Sequence, residues 1–465
     1  MTDKFENGLF IFRRDLRIVD NNGLHLLSSH CRNVYTIFIF TPEQVGSANA
    51  YKSNNSVQFM IESLADLAGE IRKQGGQLHT FYGKNEKVVA DCIKELGIQA
   101  VGFNLDITPY ARMRDDMLIK LCNKMNVALL TSNDYFLNQP GEILTSASKE
   151  AYKKFTPYYD TARHMKVKAP TKMTKLGLHT SSAAANKISN KITLDQAMNK
   201  FTKINPHILV HGGRTNALKQ MQIAAKNIRH YSSSRDEISK PTSQLSAFIK
   251  FGCVSIREVY HAFKSNTAFI RQLYWRDFYG QVVYHYPHVL GHALIPKYDK
   301  IKWRHNERLF NAWCNGKTGF PLVDASQRQL LIEGWVHNRA RMISSSILTK
   351  ILMIDWRKGE KFYAQHLVDY DVANNNGGWG WSAGVGCDPQ PWFRYFNPFL
   401  QSKEHDPECV YIKKYLPELK DVPAEDIHNW DTEWVNHKDV DYPKPIVDYS
   451  VQRDKSLEMY KDALY

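Results

Sequence analysis

Over its first 130 residues the chain alternates short apolar runs with segments of helical period, and beyond about residue 205 only the helical period persists. Leu9–Phe12, Val34–Phe40, Leu78–Tyr82, Gln99–Phe103 and Val127–Leu130 read as buried strands. Between them, Val57–Gln74 sets Val57, Met60, Ile61, Leu64, Leu67, Ala68 and Ile71 on one helical face, and Glu86–Leu96 and Pro109–Met125 read as further helices. Such alternation predicts a parallel, doubly wound five-stranded α/β sheet, because parallel neighbours need a crossover that a helix usually supplies. No G-x-G-x-x-G and no G-K-[ST] follows the first strand, which removes the usual dinucleotide and P-loop cradles.

Residues 166–200 are rich in Lys, Ser, Ala, Asn and Thr with little apolar period, and read as a solvated inter-domain linker. Ala217–His230, Ser255–Lys264, Phe269–Tyr284, Ala325–Lys350 and Glu360–Leu367 then carry helical period, so the second domain is predicted all-α. The expected division is 1–135 for the α/β domain, 136–204 for a connector and 205–465 for the helical domain. A length of 465 residues allows about three domains, and two is the commoner outcome. No internal repeat is visible.

Composition narrows the function classes. The chain has 61 Lys and Arg against 47 Asp and Glu, a net charge of +14. That excess favours a polyanionic partner, nucleic acid before membrane, since phosphate binding is largely counterion release at Lys and Arg. The seven cysteines stand at 31, 92, 122, 253, 314, 387 and 409 with no C-x-x-C, which argues against zinc or any disulfide framework and fits a reducing compartment. Met1–Asn7 carries Asp3 and Glu6, unlike a secretory signal. No uncharged apolar run reaches the roughly 18 residues that a membrane helix needs. A soluble intracellular protein, in cytoplasm or nucleus, is expected, without metal and without membrane contact.

All ten tryptophans lie at or beyond position 275. Because indole is costly to place unless its ring packs and its N–H is paired, this points to a large helical core or a site built of indoles. The densest cluster, Asp369 to Trp381, holds two carboxylates, three consecutive amides, three glycines and two indoles. Asn374-Asn375-Asn376-Gly377-Gly378 could be a surface turn, but a turn does not explain Trp379 and Trp381 directly after it. A flat, polar, partly anionic heterocycle would use all these groups. Trp335, Asn338, Arg339 and Met342 fall on one helical face, and Asn and Arg facing a core need a partner, so a ligand is the better explanation. His337 lies off that face and reads as an ordinary satisfied histidine.

Together with Gln272-Leu273-Tyr274-Trp275-Arg276-Asp277, Phe12-Arg13-Arg14-Asp15-Leu16-Arg17, Thr242-Ser243-Gln244-Leu245-Ser246, Gly316-Lys317-Thr318-Gly319-Phe320-Pro321 and Tyr415-Leu416-Pro417-Glu418-Leu419, these segments resemble the photolyase/cryptochrome family. The likeness is to its class I cyclobutane-dimer photolyases and covers nearly the whole chain except the linker. It implies an α/β antenna-type domain and a helical domain that binds FAD in a U-shape. Matched by motif, Tyr231 covers the flavin side, and Thr242, Ser243, Leu245 and Ser246 cradle the diphosphate with Arg276 as the charged contact. Arg341 pairs with Asp369 near the flavin, Asp371 meets the isoalloxazine edge and Asn375 faces N5, with Asn338 shared between cofactor and lesion. Gln244 stands where many relatives carry Arg.

For the lesion, the resemblance implies an L-shaped aromatic wall of Trp275 and Trp381 against a flipped dimer, with Asn338 and Met342 touching it and Arg235, Arg339 and Arg394 on flanking phosphates. Trp379, Trp356 and Trp303 match the family's electron-transfer chain, and core packing is the alternative for each. Gln272 departs from the pattern: cyclobutane-dimer enzymes usually have Glu there, whereas (6-4) photolyases and animal cryptochromes usually have Gln. Asn338, Met342 and the Asn-Gly-Gly-Trp-Gly-Trp block follow the cyclobutane pattern.

The expectation is therefore a photolyase, a carbon–carbon lyase that repairs DNA with light through reduced FAD. The alternatives are a (6-4) photolyase, a blue-light photoreceptor of the cryptochrome type, or a light-independent nucleic-acid-binding flavoprotein. Against a photoreceptor, the chain runs only about 35 residues past Trp430. Damaged DNA is the expected partner and a monomer the expected state. Folate, deazaflavin or no antenna pigment all remain open.

Overall fold

Five parallel strands form one sheet in the computed structural model, which describes residues 4–172, 175–180 and 187–464. They are β1 (Phe5–Phe12), β2 (Cys31–Phe40), β3 (Leu78–Tyr82), β4 (Ala100–Asn104) and β5 (Ala128–Ser132), in the spatial order β3-β2-β1-β4-β5. The chain winds outward from β1 to β3, then crosses back to lay β4 on the free side of β1. The carboxyl ends of β1 and β4 thus flank the point where the order reverses, the usual ligand crevice of an open parallel sheet. β1 and β2 start before their apolar runs, because backbone pairing needs no apolar side chain. There Asn33 donates instead to Asn7 Oδ1 and Glu6 Oε1, both at 3.1 Å.

Helices Asn54–Lys73, Asn85–Leu96 and Pro109–Lys124 cover the sheet close to where the period places them. Ser53 caps the first of these by accepting the Ser56 N–H at 3.1 Å. A further helix, Asn22–His30, escapes the periodicity because its buried apolar side chains are only Leu24 and Leu27.

The solvated-linker reading of 166–200 is corrected for the described part; residues 173–174 and 181–186 lie outside the described residues. Val167, Leu176, Ile188 and Ile192 are buried, and backbone bridges join Leu178 to Val34 and Lys191 to Phe81. The segment is polar in composition, yet its few apolar residues suffice to hold it along the edge of the sheet.

Every regular element after β5 is helical among the described residues. One predicted helix is wrong: Ala325–Lys350 is not continuous. Pro321–Glu333 ends at Gly334, which adopts φ +66°, and a new helix, Asn338–Ser346, starts after a four-residue break. A Cβ at Gly334 would run into the Asn55 side chain. Trp335 therefore does not share a helical face with Asn338 and Met342. His337 caps the second helix, its Nδ1 accepting the Arg339 N–H at 3.1 Å, while its buried Nε2 has no hydrogen-bond partner. Burial lowers this imidazole to about pKa 4.

The apolar core is continuous from one face of the sheet, through Phe10 and Phe38, into Phe248, Phe251 and Phe278 of the helical part. A second core, around Trp313, Trp356 and Trp430, lies wholly in the helical part. Between the two parts sits a dry ionic knot. Asp134 accepts from Arg17 at 2.5 Å and from Arg257 at 2.7 Å, and Arg257 also reaches Asp20 at 3.0 Å. The Ser255 hydroxyl donates to the same Asp20 carboxylate.

Candidate active site

A cavity of about 480 Å³ opens between helices Thr267–His285, Asn338–Ser346 and Val372–Ala383, closed from the side by Tyr231 and the 243–250 segment. Its size falls within the roughly 300–1,000 Å³ common for ligand pockets.

The wall it shares with Val372–Ala383 comes from the amide-rich cluster, and that stretch is helix rather than turn. Asp371 starts it, accepting the Asn374 N–H at 3.0 Å and the Asn374 amide at 2.8 Å. Asn and Gly are poor helix formers, so tertiary packing carries the helix. Gly377 lies so close to the Tyr279 ring that a Cβ would collide with it. Arg14, from the end of β1, pairs with Asp371 at 3.1 Å. Burial pushes the Asp371 carboxyl up, but Arg14, Arg276 and the Asn374 bonds outweigh it and hold the pKa at about 2. Arg341 pairs with Asp369 at 2.9 Å, and Asn375 donates its amide N–H to the Glu360 carbonyl at 3.0 Å, which orients it on the wall.

The remaining lining combines Tyr231, Ser243, Leu245 and Ser246 on one side with Gln272, Trp275, Asn338, Met342, Trp379 and Trp381 on the other. Thr242 lies just outside, in a small cleft with Arg235 and Tyr231. Gln244 takes a left-handed backbone, φ +52°, inside this segment. Asn338 donates to the Met342 sulfur at 3.3 Å, and the Gln272 amide to its own helix at Ala268 O, 3.4 Å. Arg276 is anchored to the Tyr135 carbonyl at 2.7 Å, so it joins the cavity to the segment that follows β5.

Besides Thr242, five predicted residues stand apart from the cavity: Arg235, Arg339, Arg394, Trp303 and Trp356. Arg339 pairs with Asp236 at 2.6 Å and Arg235 approaches the same carboxylate at 3.6 Å, so their charge is partly compensated. Arg394 is exposed on a loop whose Pro391 and Arg394 carbonyls accept from Lys350 at 3.2 and 2.9 Å. Lys350 is buried, and desolvation lowers its ammonium to about pKa 7. Among the tryptophans, Trp379 meets Tyr363 edge-on at 5.1 Å and Trp313 at 5.9 Å. Gly359, in the helix that begins at Trp356, lies against the Trp379 ring, and Trp303 meets Tyr460 at 6.1 Å.

Residues 269–462 match the model for the FAD binding domain of DNA photolyase and residues 9–175 that for DNA photolyase. A deoxyribodipyrimidine photo-lyase of Alkalihalophilus pseudofirmus is 34% identical over 97% of this chain and 97% of its own length. The chain belongs to the photolyase/cryptochrome family. An archaeal photolyase crystal structure from Sulfolobus tokodaii, with two FAD molecules, superposes with TM-score 0.87 at 37% identity, covering 98% of this chain and all of the other. A class III photolyase from Agrobacterium tumefaciens gives TM-score 0.90 at 29% identity, covering 100% and 98%.

Most of the cavity's lining falls within the matched FAD-binding domain, and the cavity's chemistry suits a flavin. Gly378 lies on its wall with no atom within 4 Å of where a Cβ would stand, so the glycine keeps open space that a side chain would fill. An anionic carboxylate, an ion pair, an oriented amide and three indoles surround that space.

Several neighbours of this cavity were invisible in the sequence. Phe155 stacks on Trp275 from 120 positions earlier, and nothing local marks it. Asp277 and Glu360 are buried carboxyls, both pushed by desolvation to about pKa 7. Asp277 accepts the Leu137 and Asn138 N–H groups at 2.7 and 3.2 Å. A second cavity of about 280 Å³ lies at the reversal point of the sheet and shares Lys250 and Asp371 with the first. Among the described residues no group of three His, Cys, Asp or Glu could hold a metal, and no helix is long and apolar enough to cross a membrane.

Proposed function

We propose that this chain is a deoxyribodipyrimidine photolyase that splits cyclobutane pyrimidine dimers in DNA with light, as a class I enzyme acting as an intracellular monomer. The observation that carries the reading is that Gln272, Trp275, Asn338, Met342 and Trp381 line the same cavity as Asp369, Asp371 and Asn375. A flipped pyrimidine dimer brought there would lie beside an FAD held by the second set. Reduced FAD held there would supply, on excitation, the one electron that opens the two bonds joining the pyrimidines and would take it back, with no net redox change.

The chain's own residues bind and orient. Tyr231, Thr242, Ser243, Leu245, Ser246 and Arg276 hold the cofactor's length, the Arg341–Asp369 pair and Asp371 meet its polar edge, and Asn375 offers an amide at N5. Asn338 bridges cofactor and lesion. Trp275 and Trp381 stack the flipped bases, which is worth about 1–3 kcal/mol per base and offsets an extrusion that is least costly for damaged pairs. Arg235, Arg339 and Arg394 contact flanking phosphates, the first two after exchanging Asp236 for the backbone. Trp379, Trp356 and Trp303 carry electrons inward to reduce the flavin. The α/β part (1–135), with its second cavity at the sheet's reversal point, takes an antenna pigment. The connector is 136–204 and the catalytic part 205–465.

Gln272 favours one second reading, a (6-4) photolyase. Both are tested by illuminating the reduced protein with oligonucleotides carrying either lesion, with dark controls. Light-dependent repair of the cyclobutane dimer is expected. Repair of the (6-4) lesion alone would overturn the substrate assignment, and no repair of either would overturn the enzyme.

A further inference from the structure

Trp275 does not stand alone behind the cavity. Phe155, buried and at the start of helix Phe155–Ala162, lies flat on its outer face, with ring centroids 3.7 Å apart and planes within 8°. Tyr159 continues the stack at 5.7 Å and 18°, and the Arg271 guanidinium sits 5.2 Å from the Phe155 centroid and 5.0 Å from that of Tyr159. Offset or edge-on contacts are the commoner aromatic geometries, so a near-parallel overlap this close constrains the indole plane strongly. With one face against Phe155, Trp275 has its other face for the cavity it lines.

The start of this helix is in turn held from elsewhere. No side chain of its own segment caps it; the Phe155 N–H donates to the Asp388 carboxylate at 3.1 Å, and the Asp388 N–H donates back to the Lys153 carbonyl at 3.0 Å. Asp388 keeps a left-handed backbone, φ +44°, a conformation that costs free energy outside glycine and persists where surroundings impose it. Two residues on, the Gln390 N–H donates to the Trp381 carbonyl at 3.1 Å. One short loop is thereby tied to both tryptophans: to the Trp381 backbone directly, and to the Trp275 ring through Phe155.

We propose that Phe155 and Asp388 are positioning residues for the lesion: Phe155 fixes the plane of Trp275 from behind, and Asp388 sets that plate relative to Trp381. The proposal rests on the reading of Trp275 and Trp381 as the stacking walls. A flipped dimer wedged against two indoles gains from stacking only while both planes hold their mutual angle, so neither residue needs to touch DNA to govern lesion preference.

The test measures affinity of the flavin-loaded protein for a dimer-containing oligonucleotide and for its undamaged counterpart, together with the unfolding midpoint. Phe155→Leu keeps an apolar side chain but removes the flat ring. It should cut the damaged-to-undamaged affinity ratio about tenfold, equivalent to about 1.4 kcal/mol, and leave undamaged binding in place. In a Trp275→Ala background the same change should cost nothing further, since it acts through that indole. Asp388→Ala, which spares every ring, should lower the ratio by about threefold and likewise fail to add to Trp275→Ala. Additive losses would overturn the proposal while sparing the stacking wall. Equal loss of affinity for both oligonucleotides, in step with a lowered midpoint, would also overturn it. Full lesion preference in Trp275→Ala alone would remove the wall, and the proposal with it.

Discussion

Replacing Arg14 with Met should reverse the sign of the pH dependence that Asp371 contributes to stability. In the native protein this buried carboxyl is held at about 2 against an ordinary 3.8. A carboxylate held about two pH units down is worth about 2–3 kcal/mol, present above its unfolded pKa and lost as pH falls through the folded one. Without Arg14 the burial remains, and only Arg276 and the Asn374 bonds oppose it. Asp277 shows what that leaves: with Arg276 at 3.3 Å and two backbone N–H donors, it still rises to about 7. In the variant, Asp371 should therefore titrate above 3.8, and its contribution should be lost as pH rises through the new value rather than as it falls. Removing one partner of a buried pair costs about 3–5 kcal/mol when the other stays charged. The penalty at pH near 8 should lie in that range, and it should shrink by about 1.4 kcal/mol for each pH unit below the variant's pKa. Urea unfolding of both proteins at about pH 5 and pH 8, followed by circular dichroism, reads the difference. A penalty equal at both pH values, or larger at the lower one, would refute the assignment of Arg14 as the group that keeps Asp371 ionised.

Binding to damaged DNA should weaken steeply between about 50 and 200 mM salt, because arginine–phosphate contacts release counterions; a flat affinity would count against the basic surface. Trp379→Phe should block photoreduction of oxidised FAD, since Phe is far harder to oxidise than indole, yet spare repair by chemically reduced protein; joint loss would make Trp379 a packing residue. Gln272→Glu should place an ionisable group in a poorly solvated wall, so its repair yield should fall as pH rises through a raised carboxyl pKa while the parent stays flat. Identical pH profiles would mean that position 272 does not contact the base. Asp134→Ala should leave Arg17 and Arg257 buried without their shared carboxylate and destabilise the protein by about 3–5 kcal/mol, whereas a loss under about 1 kcal/mol on urea unfolding would deny the ionic knot its role.

Local pattern was enough for the fold class. The five strands and their covering helices follow from runs of apolar residues at a period the backbone itself imposes, and β1 to β5 lie within a few residues of their predicted spans. It was also enough to name the cavity's wall from Asp369 to Trp381, because that wall is one contiguous stretch of chain. Pattern failed where a distant partner decides. Gly334 breaks an apparently continuous helix with a left-handed backbone, φ +66°, where Asn55, nearly 280 residues earlier, occupies the space a Cβ would need. Asn374 to Gly378 look like a turn and are helical because Asp371 caps them and Tyr279 packs on Gly377. The acidity of Asp371 belongs to Arg14, paired with it from the far end of the chain, the near-neutral pKa of Glu360 to its burial, and the plane of Trp275 to Phe155 in a stretch that looked like mere connection. Periodicity is a property of neighbours along the chain, whereas charge pairing, desolvation and ring stacking depend only on distance in space, and that distance exists once the chain has folded.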